Sequence, residues 1–446
     1  MSSQYINDER RLYSMYVLQQ RAIPHAADGL KAAARRVLWT AKDGKKYKSA
    51  TLAGATMPIH PHASPESTIN TIAGPYGNNI PLLKGEGAFG TLLNPTAYAA
   101  TRYTSVSISE FTKDVMFRDI EIIPLMENYD GTLLEPKHFL PLIPIVLLNP
   151  QEGIAVGFAS NILPRSLDSI VGSQIRYLQR GTFVAIDEYP SFTPTDNHCE
   201  DTFQDKNDNT RWVFKGAFKK LNATTIRITN LPYGIVHSKF ISKLEKLEEN
   251  GAIQEITDNS KNMYNIEIRF KKGTLRGKSD DEIMNFVGLI NNATENMNVV
   301  DFDGLKIMST KYHNMMADFC DWRLTWYKAR YQRLADLLDL DIQRYKDVLT
   351  AIKKKVGGVA GKIQNRSELK DYLKAINIVH VDFIADLSVY RFTEEEKKKT
   401  EQKLKDALVL LKEYKGLIRS ESKRRDVYIE ELKQIRQNYK KGKYDV

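Results

Sequence analysis

A cluster of basic residues lies near the start of the sequence, between Arg21 and Ser49. This segment holds eight basic and two acidic residues, in a chain whose formal net charge is +10. From Gly29 onward it is rich in alanine, which predicts a helix. Spacings of four and five residues put three basic side chains on one side of that helix, namely Lys31, Arg35 and Arg36. The loop after it adds Lys45, Lys46 and Lys48. Such a track suits a phosphate backbone, although a solvated helix face would have the same pattern.

Two histidines, His60 and His62, flank Pro61. Histidines two residues apart could ligate zinc, but no cysteine or acidic residue stands at a fitting spacing nearby, so we predict no metal site in this chain. Imidazole donors beside a phosphate and a structural role in a rigid turn both fit the pair.

Tyr103 follows Arg102 in the segment TAYAATRYTSV, after a glycine-rich loop over residues 84–90. A tyrosine phenol, with an ordinary pKa of about 10, is a poor nucleophile until a base or a cation favours phenolate. The dipeptide alone specifies no reaction, and its chemistry depends on its surroundings.

The composition is that of a globular intracellular protein. With 446 residues, of which 42% are hydrophobic and 27% charged, the chain can form two or three domains with their own cores. Cys199 and Cys320 lie far apart, so neither a disulfide framework nor a cysteine zinc site is supported. No apolar stretch approaches the roughly 20 residues that span a bilayer, and the polar start is not a secretory signal. We expect a cytoplasmic protein without membrane contact.

The elements that position these residues predict an α+β multidomain protein. Short helical runs between glycine turns predict a compact mixed domain over residues 1–165. Alternating segments at 224–232 and 265–270, with a helical run between them, predict an α+β domain over 166–307. Residues 190–210 are polar and without periodicity, which predicts a surface loop.

The last third of the chain predicts two long helices. Apolar residues recur every three or four positions from Leu324 to Val356, which predicts a first coiled-coil helix over 308–356. Three glycines between 357 and 361 interrupt it. A second apolar stripe, which includes Leu408, predicts a returning helix over 394–446, capped by Thr393 and Glu396. The 357–393 segment is then a small tip between two antiparallel helices, whose stripes are explained by an ordinary coiled-coil core.

Several segments resemble one protein family in their order and spacing. They are RAIPHAADGLKAAARRVLW, IHPHA, LLKGEGAFGT and AATRYT within residues 21–104, followed by ENYDGT, IPIVLLN and EGIAVGFASNILP up to Pro164. This set is similar to the cleavage subunit of bacterial gyrase and topoisomerase IV, which are type IIA DNA topoisomerases. The resemblance is strong over residues 16–166 and weak beyond. With no DNA-wrapping propeller after the second long helix, the layout resembles the medium subunit of the three-subunit topoisomerases of large tailed phages.

The resemblance implies that the chain is the DNA cleavage and religation subunit of an ATP-dependent type IIA topoisomerase. Such an enzyme opens a duplex through a transient 5′-phosphotyrosyl link and passes a second duplex through the break. Tyr103 matches the nucleophile, and Arg102 matches the adjacent arginine that stabilises charge on the phosphoryl oxygens. Three further residues match positions near the scissile phosphate: Arg21, His60 and His62.

The same resemblance implies how DNA is held and how the domains are arranged. The residues that match the gate-DNA contacts are Lys31, Arg35 and Arg36, with Lys45, Lys46 and Lys48 extending the track. Ile154 matches an isoleucine that wedges between base pairs, whereas without the resemblance it would be a core residue of an apolar strand. Helices near 30–42 and 65–74 would form a winged-helix-like unit in the cleavage domain. A tower domain over 166–307 and a dimerisation tip, the C-gate, over 357–393 would follow.

The resemblance also implies partners, because expected motifs are missing from the sequence. It contains no P-loop, no gyrase-type ATP-binding glycine pattern and no acidic cluster of the kind that binds magnesium in this family. ATP and Mg²⁺ would therefore be bound by partner subunits that carry an ATPase and a TOPRIM domain. Two copies of the chain are needed to cut both strands, which implies a homodimer on double-stranded DNA, in the host cytoplasm if the source is viral.

Two other functions are compatible with parts of the sequence. A non-catalytic DNA-binding coiled-coil protein would share the basic segment and the long helices. A tyrosine recombinase would share the nucleophile, but it needs its own basic catalytic set and no long helical arm.

Overall fold

The computed structural model describes residues 2–61, 65–184, 188–195, 197–198, 211–361 and 363–445. The protein has mixed α and β structure, as the sequence predicts. It divides into two compact units, Met1–Arg323 together with Ile429–Val446, and Leu324–Tyr428. Within the described ranges, no helix is long and apolar enough to cross a membrane.

The N-terminal part of the first unit is mostly helical. Its α-helices are α1 (Ser2–Val17), α2 (Ala32–Thr40), α3 (Ser49–Thr56) and α4 (Pro65–Ala73). A π-helix over Leu18–Ala22 directly continues α1, and a second one covers Thr112–Met116. The predicted helices near 30–42 and 65–74 are therefore confirmed. Helix α2 buries Val37 and Leu38 in the core together with Ala34, Arg35 and Arg36, so most of its circumference is covered.

Short antiparallel strands frame these helices. Strands β1 (Tyr47–Lys48), β2 (Leu83–Glu86) and β3 (Ser105–Ile108) form one sheet in the order β1-β3-β2. Two hairpins follow, β4 (Leu125–Glu127) with β5 (Leu134–Pro136), and β6 (Gln151–Ala155) with β7 (Phe158–Ile162). In β3, Val106 and Ile108 are buried and the chain is held from both sides, which fixes the backbone that follows Tyr103.

Residues 167–309 form an α+β region of the same unit. Helix α5 (Leu167–Arg180) begins at the N-cap Ser166 and ends at Gly181, whose φ is +65°. The remaining strands and helices are β8 (Ser191–Phe192), β9 (Asn197–His198), β10 (Arg211–Lys215), β11 (Ala217–Lys220), β12 (Thr225–Asn230), α6 (His237–Glu249), β13 (Glu255–Asp258), β14 (Ile266–Arg269), α7 (Asp280–Val287), β15 (Ile290–Thr294), β16 (Asn298–Val300) and β17 (Ile307–Ser309). A four-stranded sheet, in the order β11-β12-β14-β13, shares a hydrophobic core with α6 and α7.

The structure confirms strands at the two alternating segments and the helix between them. The polar loop predicted over 190–210 lies mostly outside the described residues, which include only 190–195 and 197–198 of it.

The second unit contains most of α8 (Tyr312–Lys353), then α9 (Val356–Ala360), α10 (Arg366–Ala375), α11 (Val381–Ala385), α12 (Glu394–Arg419) and the start of α13 (Glu421–Lys440). Helices α8 and α12 pack together through Ala335, Ile342, Ala407 and Leu411. A separate core, formed by the end of α8 with α10 and α11, includes Val348, Leu373 and Ile384.

Three details of this unit correct the sequence predictions. Gly357 and Gly358 lie inside α9, and the helix breaks instead at Lys355, whose φ is +54°. The second long helix is divided at Ser420, which has extended backbone angles. Leu408 was expected in the apolar stripe but is 46% exposed, and Ala407 is buried in its place. The Thr393 side chain does cap α12 by accepting from Glu396 N.

Candidate active site

Tyr103 lies on a turn immediately before β3. Its backbone N–H donates to Ala100 O over 2.9 Å, which closes the turn. The turn is joined to the start of α3, because Ser49 N donates to Thr104 O and the Thr104 hydroxyl donates to Ser49 Oγ over 2.7 Å. The Tyr103 side chain is nevertheless 68% exposed, and the Arg102 guanidinium lies 4.7 Å from its ring centroid. A fixed backbone thus presents an exposed phenol beside a cation.

The glycine-rich loop supports this turn from the other side. Ala99 N donates to Ala88 O over 3.0 Å, which pairs the loop with the segment before the turn. Gly90 has a φ of +92°, and a Cβ added there would lie 2.3 Å from Pro95 O, so only glycine fits. The loop motif therefore positions the Tyr103 turn through its backbone.

Arg21 is exposed in the first π-helix, and the β6–β7 hairpin crosses the end of that helix. At the crossing, a Cβ added to Gly153 would lie 1.9 Å from Ala22 O, so the close approach requires glycine. Ile154, the next residue of the hairpin, is 88% exposed. The structure therefore excludes the alternative that Ile154 is an ordinary core residue.

His60 and Arg21 come together around Tyr16 of α1. His60 Nε2 lies 2.8 Å from the Tyr16 hydroxyl, and the Arg21 guanidinium lies 5.7 Å from the Tyr16 ring centroid. Burial lowers the pKa of His60, and the positive charge of Arg36 lowers it further. His62 lies outside the described residues. The contacts of the predicted catalytic residues thus form two groups, Arg21 with His60 and Arg102 with Tyr103.

Arg35 and Arg36 do not lie on an exposed basic face, which corrects the prediction from their spacing. Both are buried, with exposed fractions of 6% and 5%. Arg35 donates to both carboxylate oxygens of Asp28, over 2.7 and 3.0 Å. Arg36 makes a similar pair with Glu135, over 2.5 and 3.1 Å, and also donates to Gln20 in the π-helix over 3.0 Å. The helix face that carries them turns inward, where two carboxylates compensate their charge.

The predicted lysines are closer to solvent. Lys31 donates to the backbone oxygen of Glu152, and burial lowers its pKa. Lys45 pairs with Asp43 over 3.1 Å, and Lys46 pairs with Glu86. The hydrogen bond from Lys46 holds the pKa of Glu86 below its usual range. Lys48 is exposed at the start of α3. The basic track is therefore present in the loop, but two of its lysines are paired with carboxylates.

An open groove of about 460 Å³ separates α2 and α4 from the segment before the β6–β7 hairpin. Its polar lining includes Arg21, Lys31, Ser67, Thr71, Asn78 and Asn149. Over the part of the chain that the structure describes, no group of three or more His, Cys, Asp or Glu side chains could hold a metal ion.

Sequence reasoning missed the partners of the predicted residues: Tyr16, Gln20, Asp28, Glu86 and Glu135. Asp28 stands seven residues before Arg35, and its buried carboxylate also accepts from Phe139 N. Glu135 is 99 residues from Arg36, so no local sequence pattern predicts that ion pair. From the sequence alone, Tyr16 is one apolar residue of a helix, and its contact with His60 is seen only in the folded structure.

Comparison with known proteins places these features in a family. The model of the A-subunit family of DNA gyrase and topoisomerase IV matches residues 21–433. The DNA topoisomerase medium subunit of Enterobacteria phage T4 is 28% identical over 421 residues, which cover 90% of this chain and 92% of the relative. The DNA topoisomerase 4 A-subunit of Borreliella burgdorferi is 28% identical over 63% of this chain and 44% of its own length. The DNA gyrase A-subunit of Thermotoga maritima is 30% identical over 56% of this chain and 34% of its own length.

This chain thus spans nearly all of the phage relative and less than half of the two bacterial ones. Because the family model matches most of its length, the chain belongs to the A-subunit family of DNA gyrase and topoisomerase IV, which are type II DNA topoisomerases.

Proposed function

We propose that this chain is the DNA cleavage and religation subunit of a type IIA topoisomerase and that Tyr103 is its nucleophile. One observation carries the proposal: Tyr103 is two-thirds exposed on a backbone held by α3 and by the glycine-rich loop, with Arg102 beside its ring. A nucleophile that attacks duplex DNA must be exposed, and it must be fixed to attack one phosphate in line.

The proposed reaction exchanges one phosphodiester for another. The Tyr103 phenol loses its proton and its oxygen attacks a backbone phosphorus, while the bond from that phosphorus to the 3′ oxygen breaks. The 3′ oxygen leaves and takes up a proton, and the 5′ phosphate stays on the tyrosine. Religation is the reverse attack, so the energy of the bond is conserved. Arg102 would stabilise the charge that builds on the phosphoryl oxygens.

Arg21 and His60 would assist at the same phosphate. Arg21 is an exposed cation in a π-helix, a distortion that is frequent at functional sites. His60 and Arg21 both contact Tyr16. The His60 imidazole could donate or accept a hydrogen bond at the phosphate. We propose the same role for His62 from the resemblance alone.

The gate DNA would bind across the exposed lysines and the hairpin. We propose phosphate contacts for Lys31, Lys45, Lys46 and Lys48, which position DNA without reading its sequence. Ile154 would insert between base pairs and bend the duplex, since an apolar side chain that is 88% exposed is available for such a contact. For Arg35 and Arg36 we propose a supporting role, because they hold α2 and the π-helix in place.

The proposed architecture follows the family. We propose a winged-helix-like cleavage domain over 1–165, a tower domain over 166–307, and coiled-coil helices over 308–356 and 394–446. The 357–393 tip between them would be the C-gate, where two copies of the chain dimerise. Two copies are needed because each tyrosine cuts one strand.

Partner subunits with ATPase and TOPRIM domains would bind ATP and Mg²⁺. The complex would act in the cytoplasm, which is that of the host if the source is viral. The assignment of the metal to the partner rests on the resemblance alone. When bound, Mg²⁺ would supply Lewis-acid stabilisation of the phosphate.

The decisive experiment combines the chain with its partner subunits, ATP, Mg²⁺ and duplex DNA labelled at its 3′ ends, because the 3′ label stays on the fragment that becomes joined to the protein. Detergent trapping should give protein joined to 5′ ends, and Tyr103→Phe should abolish this product while DNA binding persists. Tyr76→Phe, at another partly exposed tyrosine of the same unit, is the matched control and should cleave normally. A Tyr103→Phe protein that still cleaves would overturn the assignment, and a wild-type complex that binds DNA without cleaving would favour the structural DNA-binding protein.

A further inference from the structure

Tyr16 stands between two of the residues proposed to act on the phosphate. Its hydroxyl lies 2.8 Å from His60 Nε2, and the two rings are stacked with centroids 6.2 Å apart. Its ring face lies 5.7 Å from the Arg21 guanidinium. One side chain of α1 therefore contacts both Arg21 and His60.

The cluster has a defined surrounding. Tyr13 stacks on the outer side of Tyr16 at 6.4 Å, and Tyr129 lies 5.5 Å from His60. The charged groups that act on His60 include Arg36, Glu135 and Arg21. Because Arg36 also binds Gln20, the neighbour of Arg21, the π-helix is fixed from its buried side while Tyr16 contacts its exposed side.

We infer that Tyr16 is a positioning residue for the cleavage reaction, which orients the His60 imidazole through its hydroxyl and the Arg21 guanidinium through its ring. This inference rests on the proposed function of the site. A neutral imidazole has one donor and one acceptor nitrogen, so a hydroxyl that donates to Nε2 places the ring proton on Nδ1. The cation–π contact restricts the long Arg21 side chain, which reduces the ordering required when DNA arrives.

A double-mutant cycle in the reconstituted complex tests the inference. The four proteins are the wild type, Tyr16→Phe, His60→Ala and the double variant, and the measured quantities are the rate of DNA cleavage and the Kd for the same duplex. Removing one positioning hydrogen bond should lower the cleavage rate by about 5-fold and change Kd by less than about 2-fold. The same hydroxyl loss should have no further effect in the His60→Ala protein, because its partner is gone.

Tyr13→Phe is the matched control. Tyr13 lies in the same helix and stacks on Tyr16, but it is 61% exposed. The Tyr13→Phe protein should cleave DNA at the wild-type rate. A full rate for Tyr16→Phe, or an equal loss in the His60→Ala background, would refute the inference.

A spectroscopic measurement keeps the test independent of cleavage. In the chain labelled with ¹⁵N-histidine, the His60 resonances are identified by their loss in His60→Ala. Tyr16→Phe should shift the Nε2 resonance, and an unchanged resonance would show that the hydroxyl does not orient the ring. If Tyr103→Phe also cleaves normally, the proposed function fails. If only Tyr16→Phe is without effect, the inference fails and the proposed function stands.

Discussion

Helix α2 and the loop that follows it carry similar basic residues in opposite environments. Arg35 and Arg36 are buried against Asp28 and Glu135, whereas Lys48 in the loop region is exposed. In the helix, charge holds the fold together, because each guanidinium satisfies a buried carboxylate. In the loop, the charge of Lys48 remains available to a polyanion, whereas Lys45 and Lys46 pair with exposed carboxylates. The basic segment therefore has two physical roles: its buried arginines stabilise the fold, and its exposed lysine can contact a polyanion.

The largest expected effect comes from breaking a buried pair. Arg36→Ala should lower the free energy of unfolding by about 3–5 kcal/mol, because Glu135 would be left buried without its partner. Lys48→Ala should change it by less than about 0.5 kcal/mol, since an exposed lysine makes little contribution to stability. Chemical denaturation of the two variants measures the difference.

A second variant separates charge from packing at this position. Replacing both partners, with Arg36→Met and Glu135→Leu, should recover most of the lost stability, because no buried charge then remains unpaired. Equal stability of Arg36→Ala and Lys48→Ala would contradict the contrast between helix and loop.

The buried His25, which precedes α2 and is affected by the charge of Arg35 in that helix, should contribute to the acid sensitivity of the unit. Burial lowers the pKa of His25 to about 3, and the charge of Arg35 adds to this effect. In the unfolded chain His25 takes up a proton below about pH 6.5, whereas in the folded protein it does not. The unfolded state therefore binds more protons as the pH falls, and stability should decrease by about 2 kcal/mol between pH 7 and pH 5.

Denaturation at a series of pH values measures this loss. His25→Gln should flatten the dependence over that window, and His138 should account for part of the remainder, because burial lowers its pKa as well. An unchanged slope in His25→Gln would mean that other groups govern the acid sensitivity.

The contrast between helix and loop shows what the sequence could and could not predict. Glycine positions predicted the turn around residues 84–90 that supports Tyr103, because that signal is local, whereas no sequence signal predicted β3 or α3, which hold the Tyr103 turn. Spacing predicted that Arg35 and Arg36 share one face of the helix. It could not predict that this face points inward, because its direction depends on Glu135, 99 residues away. Likewise, heptad spacing put Leu408 in the apolar stripe, yet Ala407 packs against α8 with Leu411, because the side chains of α8 determine which face of α12 is covered.

A smaller effect is expected from the exposed hairpin. Ile154→Ala should weaken binding of the bent duplex by roughly 10-fold, because the wedge loses most of the apolar surface that it would bury between bases. The free energy of unfolding should stay unchanged, since the side chain is 88% exposed in the free protein. Fluorescence anisotropy with labelled duplex gives the affinity, and Ile154→Leu should bind almost as well as the wild type. Equal binding by all three proteins would exclude insertion.

The smallest expected effect concerns DNA affinity and compares a paired lysine of the loop with the same lysine released from its carboxylate. Glu86 is paired with Lys46 and lies near Lys48 and Lys84, so it neutralises part of the basic track. Glu86→Gln should release Lys46 for phosphate, raise DNA affinity by about 3-fold at low salt, and steepen the dependence of log affinity on log salt by about one unit. Glu121→Gln, which removes a carboxylate that acts on Lys42 instead, is the control for a general change in net charge. If both variants raise affinity equally, net charge alone explains the gain, and the Lys46–Glu86 pair has no specific influence on how the loop holds DNA.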